Sequence, residues 1–138
     1  MRLTVDYKGK LSKGYEADAG CDVIIDRNAV FRPMCTQIFE LNLQVNIPEG
    51  FMGMLVARTS AAIRGLNVAM CPIDPHYDGK VNAIVHNISH DTIVYKKGQS
   101  FCQLVIVPVT IMHGPLIQVR KPGKRTDGKM GSTDLTNK

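Results

Sequence analysis

The residues Ile38-Phe39-Glu40-Leu41-Asn42-Leu43-Gln44-Val45-Asn46-Ile47 carry the pattern that decides the fold class. From Phe39 onward, apolar and polar side chains alternate at a period of two, and the run ends at Pro48-Glu49-Gly50. Successive side chains of a β-strand point to opposite faces of a sheet. The alternation therefore predicts a strand with one buried face.

Four further runs of apolar residues predict strands on both sides of one short helical turn. The helical turn is expected at Ser60–Arg64, with Ser60 as the candidate N-cap and Gly65 as the stop. Gly and Pro recur about every ten residues elsewhere, which is typical of β-sandwiches and barrels. We therefore expect an all-β fold. The predicted strands are Phe51–Ala57, Val81–Ile88, Thr92–Tyr95 and Phe101–Val109.

The length of 138 residues suits one domain and is too short for two. Residues 121–138 have few apolar positions and are expected to form a flexible tail, which leaves residues 1–120 for the β domain. The apolar runs are too short to span a membrane, and the N-terminus lacks the apolar region of a signal peptide. We expect a soluble cytoplasmic protein that does not contact membranes.

Four cysteines, at positions 21, 35, 71 and 102, contain no CxxC pair. Most of them lie in apolar runs, and the chain shows no secretory signal. They are interpreted as reduced thiols of the core, not as a disulfide framework or a zinc site.

The net charge of +5 is concentrated at the C-terminus, where residues 120–138 contain six Lys/Arg and two Asp. A basic tail can bind a polyphosphate or a nucleic acid, or can simply be solvated. Gly128 and Gly131-Ser132-Thr133 favour phosphate. Nucleic-acid binding is disfavoured because the tail lacks interleaved aromatic residues that would stack on bases.

Two segments in the first half of the chain place polar groups at the ends of predicted elements. In Ala19-Gly20-Cys21-Asp22-Val23, a glycine precedes an aspartate that begins a strand, which puts a carboxylate at a sheet edge. In Arg58-Thr59-Ser60, backbone N–H groups, two hydroxyls and a guanidinium converge in the way that suits a bound anion. Taken alone, each segment is more typical of a turn or a helix cap.

The segment Ile73-Asp74-Pro75-His76-Tyr77-Asp78-Gly79 carries a carboxylate and an aromatic ring three residues apart. Asp74 is a candidate to orient or deprotonate a water molecule, and Tyr77 is a candidate to pack on the apolar face of a sugar. His76 is interpreted as a solvated loop residue, and the histidines show no metal-ligand spacing. Taken alone, this segment is also typical of a hairpin turn.

Two later segments add polar groups that suit a ligand. Gln103 lies in the apolar run Phe101–Ile106, so its amide needs partners, either in the fold or in a ligand. The stretch Arg125–Asp134 joins glycines, hydroxyls and cations, and such a loop can surround phosphates with backbone N–H groups. It lacks the spacing and the strand–loop–helix context of a Walker A loop.

In this order, the five segments resemble the five motifs of the trimeric dUTPase family, and the resemblance extends from Ala19 to Thr133. The resemblance implies a distorted jelly-roll β-barrel that forms a homotrimer with sites shared between subunits. It also implies hydrolysis of dUTP to dUMP and pyrophosphate with Mg²⁺. Departures from the family motifs include Cys71 for a Gly, Ser100 for an Arg, Met130 for a Phe, and Asn82 for a small or apolar residue.

The resemblance implies a role for each matching residue. Asp74 holds the water that attacks the α-phosphorus, Tyr77 packs on deoxyribose and excludes a 2′-hydroxyl, and Asp22 places Mg²⁺ through water. Further contacts are expected with the base edge (Val68, Ala69, Met70, Cys71, Val81, Asn82), with the phosphates (Arg58, Thr59, Ser60, Gln103), and from the closing tail (Met130 on the base; Arg125, Gly131, Ser132 and Thr133 on the γ-phosphate).

Other functions stay open beside dUTP hydrolysis. A dCTP deaminase of the same fold has segments like Arg58-Thr59-Ser60 and Ile73-Asp74-Pro75. It also needs a glutamate where this chain has Ile84, and no Glu follows Glu49, so deamination is disfavoured. The remaining alternatives are a nucleotide-binding regulator of a partner protein and a pyrophosphatase that acts on dCTP.

Overall fold

The computed structural model describes residues 3–118 of the chain. The predicted tail, with Arg125, Met130, Gly131, Ser132 and Thr133, lies outside the described residues. Within them the chain forms eleven strands and one short helix. In chain order these are β1 (Asp6–Lys8), β2 (Leu11–Ser12), β3 (Gly20–Val23), β4 (Ala29–Phe31), β5 (Cys35–Glu40), β6 (Gln44–Asn46), β7 (Phe51–Ala57), α1 (Thr59–Arg64), β8 (Leu66–Val68), β9 (Asn82–Asn87), β10 (Ile93–Tyr95) and β11 (Cys102–Pro108).

All the strand pairs are antiparallel. The largest sheet has four strands in the order β2-β3-β11-β7, and β11 pairs with β7 from Cys102 opposite Ala57 to Pro108 opposite Phe51. A second sheet has the order β5-β9-β8, and β1-β6 and β10-β4 form two smaller sheets. The predicted all-β fold with one short helix is confirmed.

Aromatic side chains fill one end of the core around Phe101, the residue immediately before β11. The ring of Phe101 is fully buried, and the rings of Phe31, Phe39 and Tyr95 meet it edge to face at centroid distances of 5.1, 5.7 and 5.8 Å. Edge-to-face pairs add to the stabilisation from burial because the positive ring edge meets the negative ring face. This packing fixes the turn that leads into β11.

The sequence pattern predicted one strand for the alternating run from Phe39 to Ile47, and this prediction is wrong. The chain leaves β5 after Glu40, takes a positive φ of 51° at Asn42, and re-enters a strand only at β6. The apolar residues 39, 41, 43, 45 and 47 are all buried nevertheless. The break occurs because β5 pairs with β9 whereas β6 pairs with β1, so the run passes from one sheet to another. Asparagine tolerates the left-handed conformation that this passage needs.

The predicted helical turn forms, but it begins one residue earlier than Ser60. Arg58 is the N-cap residue in extended conformation without a side-chain cap bond, so the prediction of Ser60 as the cap is wrong. Gly65 ends the helix with φ 108°, and its N–H donates to the carbonyl oxygens of Ala61 and Ala62. The left-handed φ explains the glycine at this position.

The four cysteines are free thiols, but only Cys102 is fully buried; Cys21 and Cys35 are half-buried and Cys71 is exposed. The core-thiol prediction is therefore right for Cys102 and wrong for Cys71. Burial raises the pKa of the Cys102 thiol to about 12, and the negative charge of Asp22 acts in the same direction. Between residues 3 and 118, α1 is much too short to cross a membrane.

Candidate functional site

The Asp74 segment is the long loop of a β-hairpin whose two strands are β8 and β9. Ile73 forms an isolated bridge with Gly53 of β7: its N–H donates to the Gly53 oxygen at 2.7 Å, and its oxygen accepts from the Gly53 N–H at 3.0 Å. A Cβ on Gly53 would lie 2.7 Å from the Ile47 side chain and 3.4 Å from Ile73. Because Gly53 has no side chain, the loop can approach β7 closely. The bridge between Ile73 and Gly53 then holds Asp74 at a defined place.

Asp74 and Tyr77 form a tight turn within this loop. The N–H of Tyr77 donates to the Asp74 carbonyl oxygen at 3.2 Å, and His76 between them has a φ of 66°. The Tyr77 hydroxyl donates to the Lys80 carbonyl oxygen at 3.0 Å, and a Cβ on Gly79 would lie 2.6 Å from the tyrosine ring. Gly79 therefore allows the ring to fold back over the loop.

Both side chains border a cavity of about 300 Å³ between the hairpin and β7. Five predicted substrate-contacting residues line the cavity together with Asp74: Ala69, Cys71, Tyr77, Val81 and Asn82. Val68 is buried and Met70 is exposed, and neither lines it. Leu55, Pro72, Ile73, Lys80 and Ile84 complete the wall.

The backbone of the hairpin is already partly engaged beside this cavity. The N–H of Ala69 donates to the Ile84 oxygen at 2.9 Å, and the N–H of Cys71 donates to the Ala69 oxygen at 3.0 Å. Lys80 extends from the rim, where its ammonium lies 3.7 Å from a Glu40 carboxylate oxygen. The cavity thus combines an apolar floor with a polar edge, which suits a ligand that has a flat apolar part and a charged part.

A second cleft, of about 390 Å³, lies between α1, β3, β10 and the turn before β11. In this cleft Arg58 Nε lies 3.4 Å from Asp22 Oδ1, and Arg58 Nη1 donates to the Ser100 carbonyl oxygen at 3.2 Å. These two contacts orient the guanidinium. The cleft is lined by Asp22, Ile24, Arg58, Ser60, Arg64, Val94, Tyr95, Gly98, Gln99 and Ser100.

Two predicted phosphate contacts, Thr59 and Gln103, do not line this cleft. Thr59 is exposed at the start of α1. Gln103 lies opposite Asp22 in the β3–β11 pair, and a Cβ on Gly20 would lie 2.6 Å from its Oε1 atom. The Gln103 amide is packed against the backbone of β3. Of the two roles left open by the sequence, this contact favours a role in the fold over a contact with a ligand.

The Asp74 cavity and the Arg58 cleft have no lining residue in common. The described part of a single chain therefore presents the candidate water-activating group and the candidate phosphate-binding group in two separate depressions. Sequence order alone did not predict this separation.

The sequence interpretation missed several residues of both depressions. Lys80 and Arg64 carried no motif signal, although Lys80 follows Gly79 directly and Arg64 lies one helical turn after Ser60. Ile84 was noted only as the position where a deaminase needs a glutamate. His76, which was interpreted as a solvated loop residue, is exposed, and its Nε2 lies 3.1 Å from a Glu49 carboxylate oxygen. That pair is largely exposed, so its contribution to stability is small.

Asp22 is the carboxylate that borders the Arg58 cleft. Among residues 3–118, no cluster of three or more His, Cys, Asp or Glu side chains is arranged to hold a metal ion. Mg²⁺ is commonly bound by one or two carboxylates, waters and substrate phosphates, without a complete protein cage. The donor set of the cleft therefore fits an ion that arrives with a phosphate ligand.

A family model described as dUTPase matches residues 6–134, and the chain belongs to the dUTPase family. The chain is similar to the deoxyuridine 5′-triphosphate nucleotidohydrolase of Anaeromyxobacter sp. (strain Fw109-5), with 30% identity over 124 residues that cover 86% of this chain and 84% of the relative. It is 29% identical over 125 residues to the enzyme of the same name from Tropheryma whipplei (strain Twist), again covering 86% and 84%.

Solved structures of phage dUTPases share the fold and are jelly-roll-like. A point mutant of the dUTPase from phage phi11 of S. aureus, in which a structural Mg(II) ion is coordinated, superposes with a TM-score of 0.73 at 21% identity, covering 88% of this chain and 99% of that chain. The dUTPase of Staphylococcus bacteriophage 80alpha with dUpNHpp gives a TM-score of 0.72 at 22% identity, covering 95% and 98%.

Proposed function

We propose that this protein hydrolyses dUTP to dUMP and pyrophosphate. The observation that carries the proposal is the pinned hairpin loop, which places the Asp74 carboxylate and the Tyr77 ring on the wall of one cavity in a chain of the dUTPase family. Relatives that are named deoxyuridine 5′-triphosphate nucleotidohydrolases support the same substrate.

Asp74 is the proposed general base. Its carboxylate orients a water molecule and accepts a proton as the water oxygen attacks the α-phosphorus. A bond forms between the water oxygen and the α-phosphorus while the bond to the bridging oxygen breaks, and pyrophosphate leaves with that oxygen. This in-line displacement needs positioning and charge stabilisation more than covalent catalysis. A single exposed carboxylate on a fixed loop supplies the positioning.

The hairpin cavity is the proposed nucleoside site. The Tyr77 ring packs on the deoxyribose, and a 2′-hydroxyl would collide with it or lose its solvation there. Backbone groups near Ala69, Cys71, Val81 and Asn82 are proposed to read the pyrimidine edge. Val68 and Met70 were also predicted to contact the base. Neither side chain lines the cavity, so we propose that these two residues contribute through their backbone atoms.

The second cleft is the proposed phosphate site, with Arg58 and Ser60 as its principal donors. Thr59 and Gln103 remain predicted phosphate contacts that do not line it. Asp22 would hold Mg²⁺ through water beside the phosphates. When bound, the ion offsets part of the negative charge of the triphosphate. Arg58 is pre-oriented for the phosphates by its contacts with Asp22 and Ser100.

A homotrimer with shared sites is part of the proposal. Because the two depressions of one chain have no common wall, a complete site requires a neighbouring subunit to bring one cavity to the other. After β11, residues 109–118 carry four large, exposed apolar side chains, which favours contact with another subunit. These are Ile111, Met112, Leu116 and Ile117. Light scattering on the full chain tests this: a monomer at micromolar concentration would contradict the shared site.

A dCTP deaminase is disfavoured on the geometry as well as on the sequence. Ile84 lines the nucleoside cavity at the position where deamination would need an acid/base group. An aliphatic side chain transfers no proton. A cytoplasmic location stays a prediction from the sequence.

The deciding experiment is pyrophosphate release from dUTP, dCTP, dTTP and UTP, each with Mg²⁺ and with EDTA, by wild type and Asp74→Asn. Turnover that is selective for dUTP and depends on both Mg²⁺ and Asp74 supports the proposal. If the protein preferred dCTP, the proposed reaction would stand and the proposed substrate would change. Asn82 and Met130 would then be the first residues to substitute in order to explain the preference. If a folded oligomer turned over no nucleotide, the regulatory binding role would replace the enzymatic one.

A further inference from the structure

Arg64 lies in the phosphate cleft although no motif includes it. It is four residues after Ser60 on α1, and residues with this spacing share one face of a helix. Both residues line the cleft, whereas Ala61 is fully buried and fastens the helix to the core. Ile63 is exposed and does not line the cleft. The orientation of α1 therefore presents two arginines, Arg58 and Arg64, to the same space.

The Arg64 guanidinium rests on an aromatic ring that cannot move freely. Its central carbon lies 5.1 Å from the ring centroid of Tyr95, a distance at which a cation is attracted to the ring face. Tyr95 is only 6% exposed and packs edge to face on Phe101. The guanidinium is thus held against a fixed part of the cleft wall.

The charge of Arg64 is not offset within the described residues. Arg58 has Asp22 at 3.4 Å, but no carboxylate between residues 3 and 118 lies within 4.0 Å of Arg64. Ser100, at the position where the family motif has an arginine, is 7% exposed and donates its hydroxyl to the Cys102 carbonyl oxygen at 2.7 Å. Ser100 therefore supplies neither a cation nor a free donor, and Arg64 is the surplus positive charge of the cleft.

We propose that Arg64 is a substrate-binding residue that contacts the pyrophosphate portion of the triphosphate, as the second cation of the cleft beside Arg58. A guanidinium presents paired N–H donors that match two phosphate oxygens. Because Arg64 already rests on the Tyr95 ring, its side chain loses less conformational entropy when a phosphate binds. This inference rests on the proposed function of the same cleft.

The test measures binding of inorganic pyrophosphate with Mg²⁺ by calorimetry, and KM and kcat for dUTP, on the full-length protein. The variants are Arg64→Gln, which removes the charge, and Arg64→Lys, which keeps the charge and loses the planar fork. Arg32→Gln is the matched control, because Arg32 is an exposed arginine just after β4 and lines neither depression. Thermal unfolding of each variant reports any effect on the fold.

Loss of one charge-assisted contact should weaken pyrophosphate binding about tenfold in Arg64→Gln and raise KM for dUTP by a similar factor. Arg64→Lys should recover part of this loss, and Arg32→Gln should match wild type. Equal pyrophosphate affinity and KM in Arg64→Gln and Arg32→Gln would overturn the inference, as would a wild type that binds no pyrophosphate. If wild type binds pyrophosphate through Arg64 but does not hydrolyse dUTP, the proposed function fails and the phosphate contact stands.

Discussion

Ile73 and Gly53 exchange two backbone hydrogen bonds, of 2.7 Å and 3.0 Å, immediately before Asp74. This bridge joins an irregular loop to β7, the strand that pairs along its whole length with β11. Although Asp74 is exposed, these two hydrogen bonds restrict the movement of the loop that carries its carboxylate. The position of the candidate catalytic carboxylate therefore depends on the sheet that contains β7 and β11.

Gly53→Val should damage both stability and turnover. The new side chain would collide with Ile47, which is fully buried, and would press on Ile73. Overpacking of this kind costs about 1–3 kcal/mol in the free energy of unfolding. Denaturant unfolding and dUTP hydrolysis measure the two effects. An unchanged unfolding midpoint with unchanged kcat would contradict the role of the close approach.

Asp74→Asn should lower kcat while nucleotide still binds. Loss of a general base typically costs about 10²–10⁴-fold in rate. Asp78→Asn is the matched control, since Asp78 lies on the same loop and does not line the Asp74 cavity. Turnover of the two variants and binding of dUpNHpp decide the matter. Near-normal turnover by Asp74→Asn would remove Asp74 from its proposed role.

Tyr77→Ala should erode the discrimination between dUTP and UTP, because the ring would no longer meet the sugar. Tyr77→Phe separates the ring from its hydroxyl, which donates to the Lys80 carbonyl oxygen and so serves the loop. The ratio of kcat/KM for dUTP and UTP is the measurement. We expect the ratio to fall about tenfold or more in Tyr77→Ala and to stay near wild type in Tyr77→Phe. Equal ratios in all three proteins would exclude sugar packing by Tyr77.

Deletion of residues 124–138 should severely reduce hydrolysis without unfolding the β domain. The segment contains Arg125, Met130 and Gly131-Ser132-Thr133, the predicted contacts with the base and the γ-phosphate. Circular dichroism and thermal unfolding report the fold, and pyrophosphate release reports activity. Full activity of the truncated chain would rule out a closing tail.

Cys102 should make stability fall at high pH. Its thiol has an ordinary pKa of 9.0, which burial, followed by Asp22, raises to about 12 in the folded protein. The unfolded chain therefore loses this proton first, and the contribution to stability is full below pH 9.0 and decreases as pH rises toward about 12. Unfolding midpoints of wild type and Cys102→Ala at about pH 8 and about pH 10.5 isolate this residue. The same pH slope in both proteins would contradict the prediction.

Many elements of the fold were predictable because their signals are local. The strands β7, β9, β10 and β11 lie within one residue of the predicted bounds, since each is a compact apolar run between Gly, Pro or polar turn residues. Gly65 ends α1 as predicted, because few other residues adopt its left-handed φ without strain. Asp74 and Tyr77 were recognisable from their spacing and from the order of the motifs.

The other features depend on contacts between residues far apart in sequence. The passage from β5 to β6 at Asn42 follows from the choice of pairing partners, which a period-two pattern does not contain. The cation–aromatic contact of Arg64 and Tyr95 joins residues that are 31 positions apart. The sequence by itself thus determined the all-β class, the strands β7, β9, β10 and β11, and the identity of the chemical groups, because propensity and periodicity are local. Only the tertiary structure decided that these groups occupy two separate depressions, because that depends on how the sheets pack.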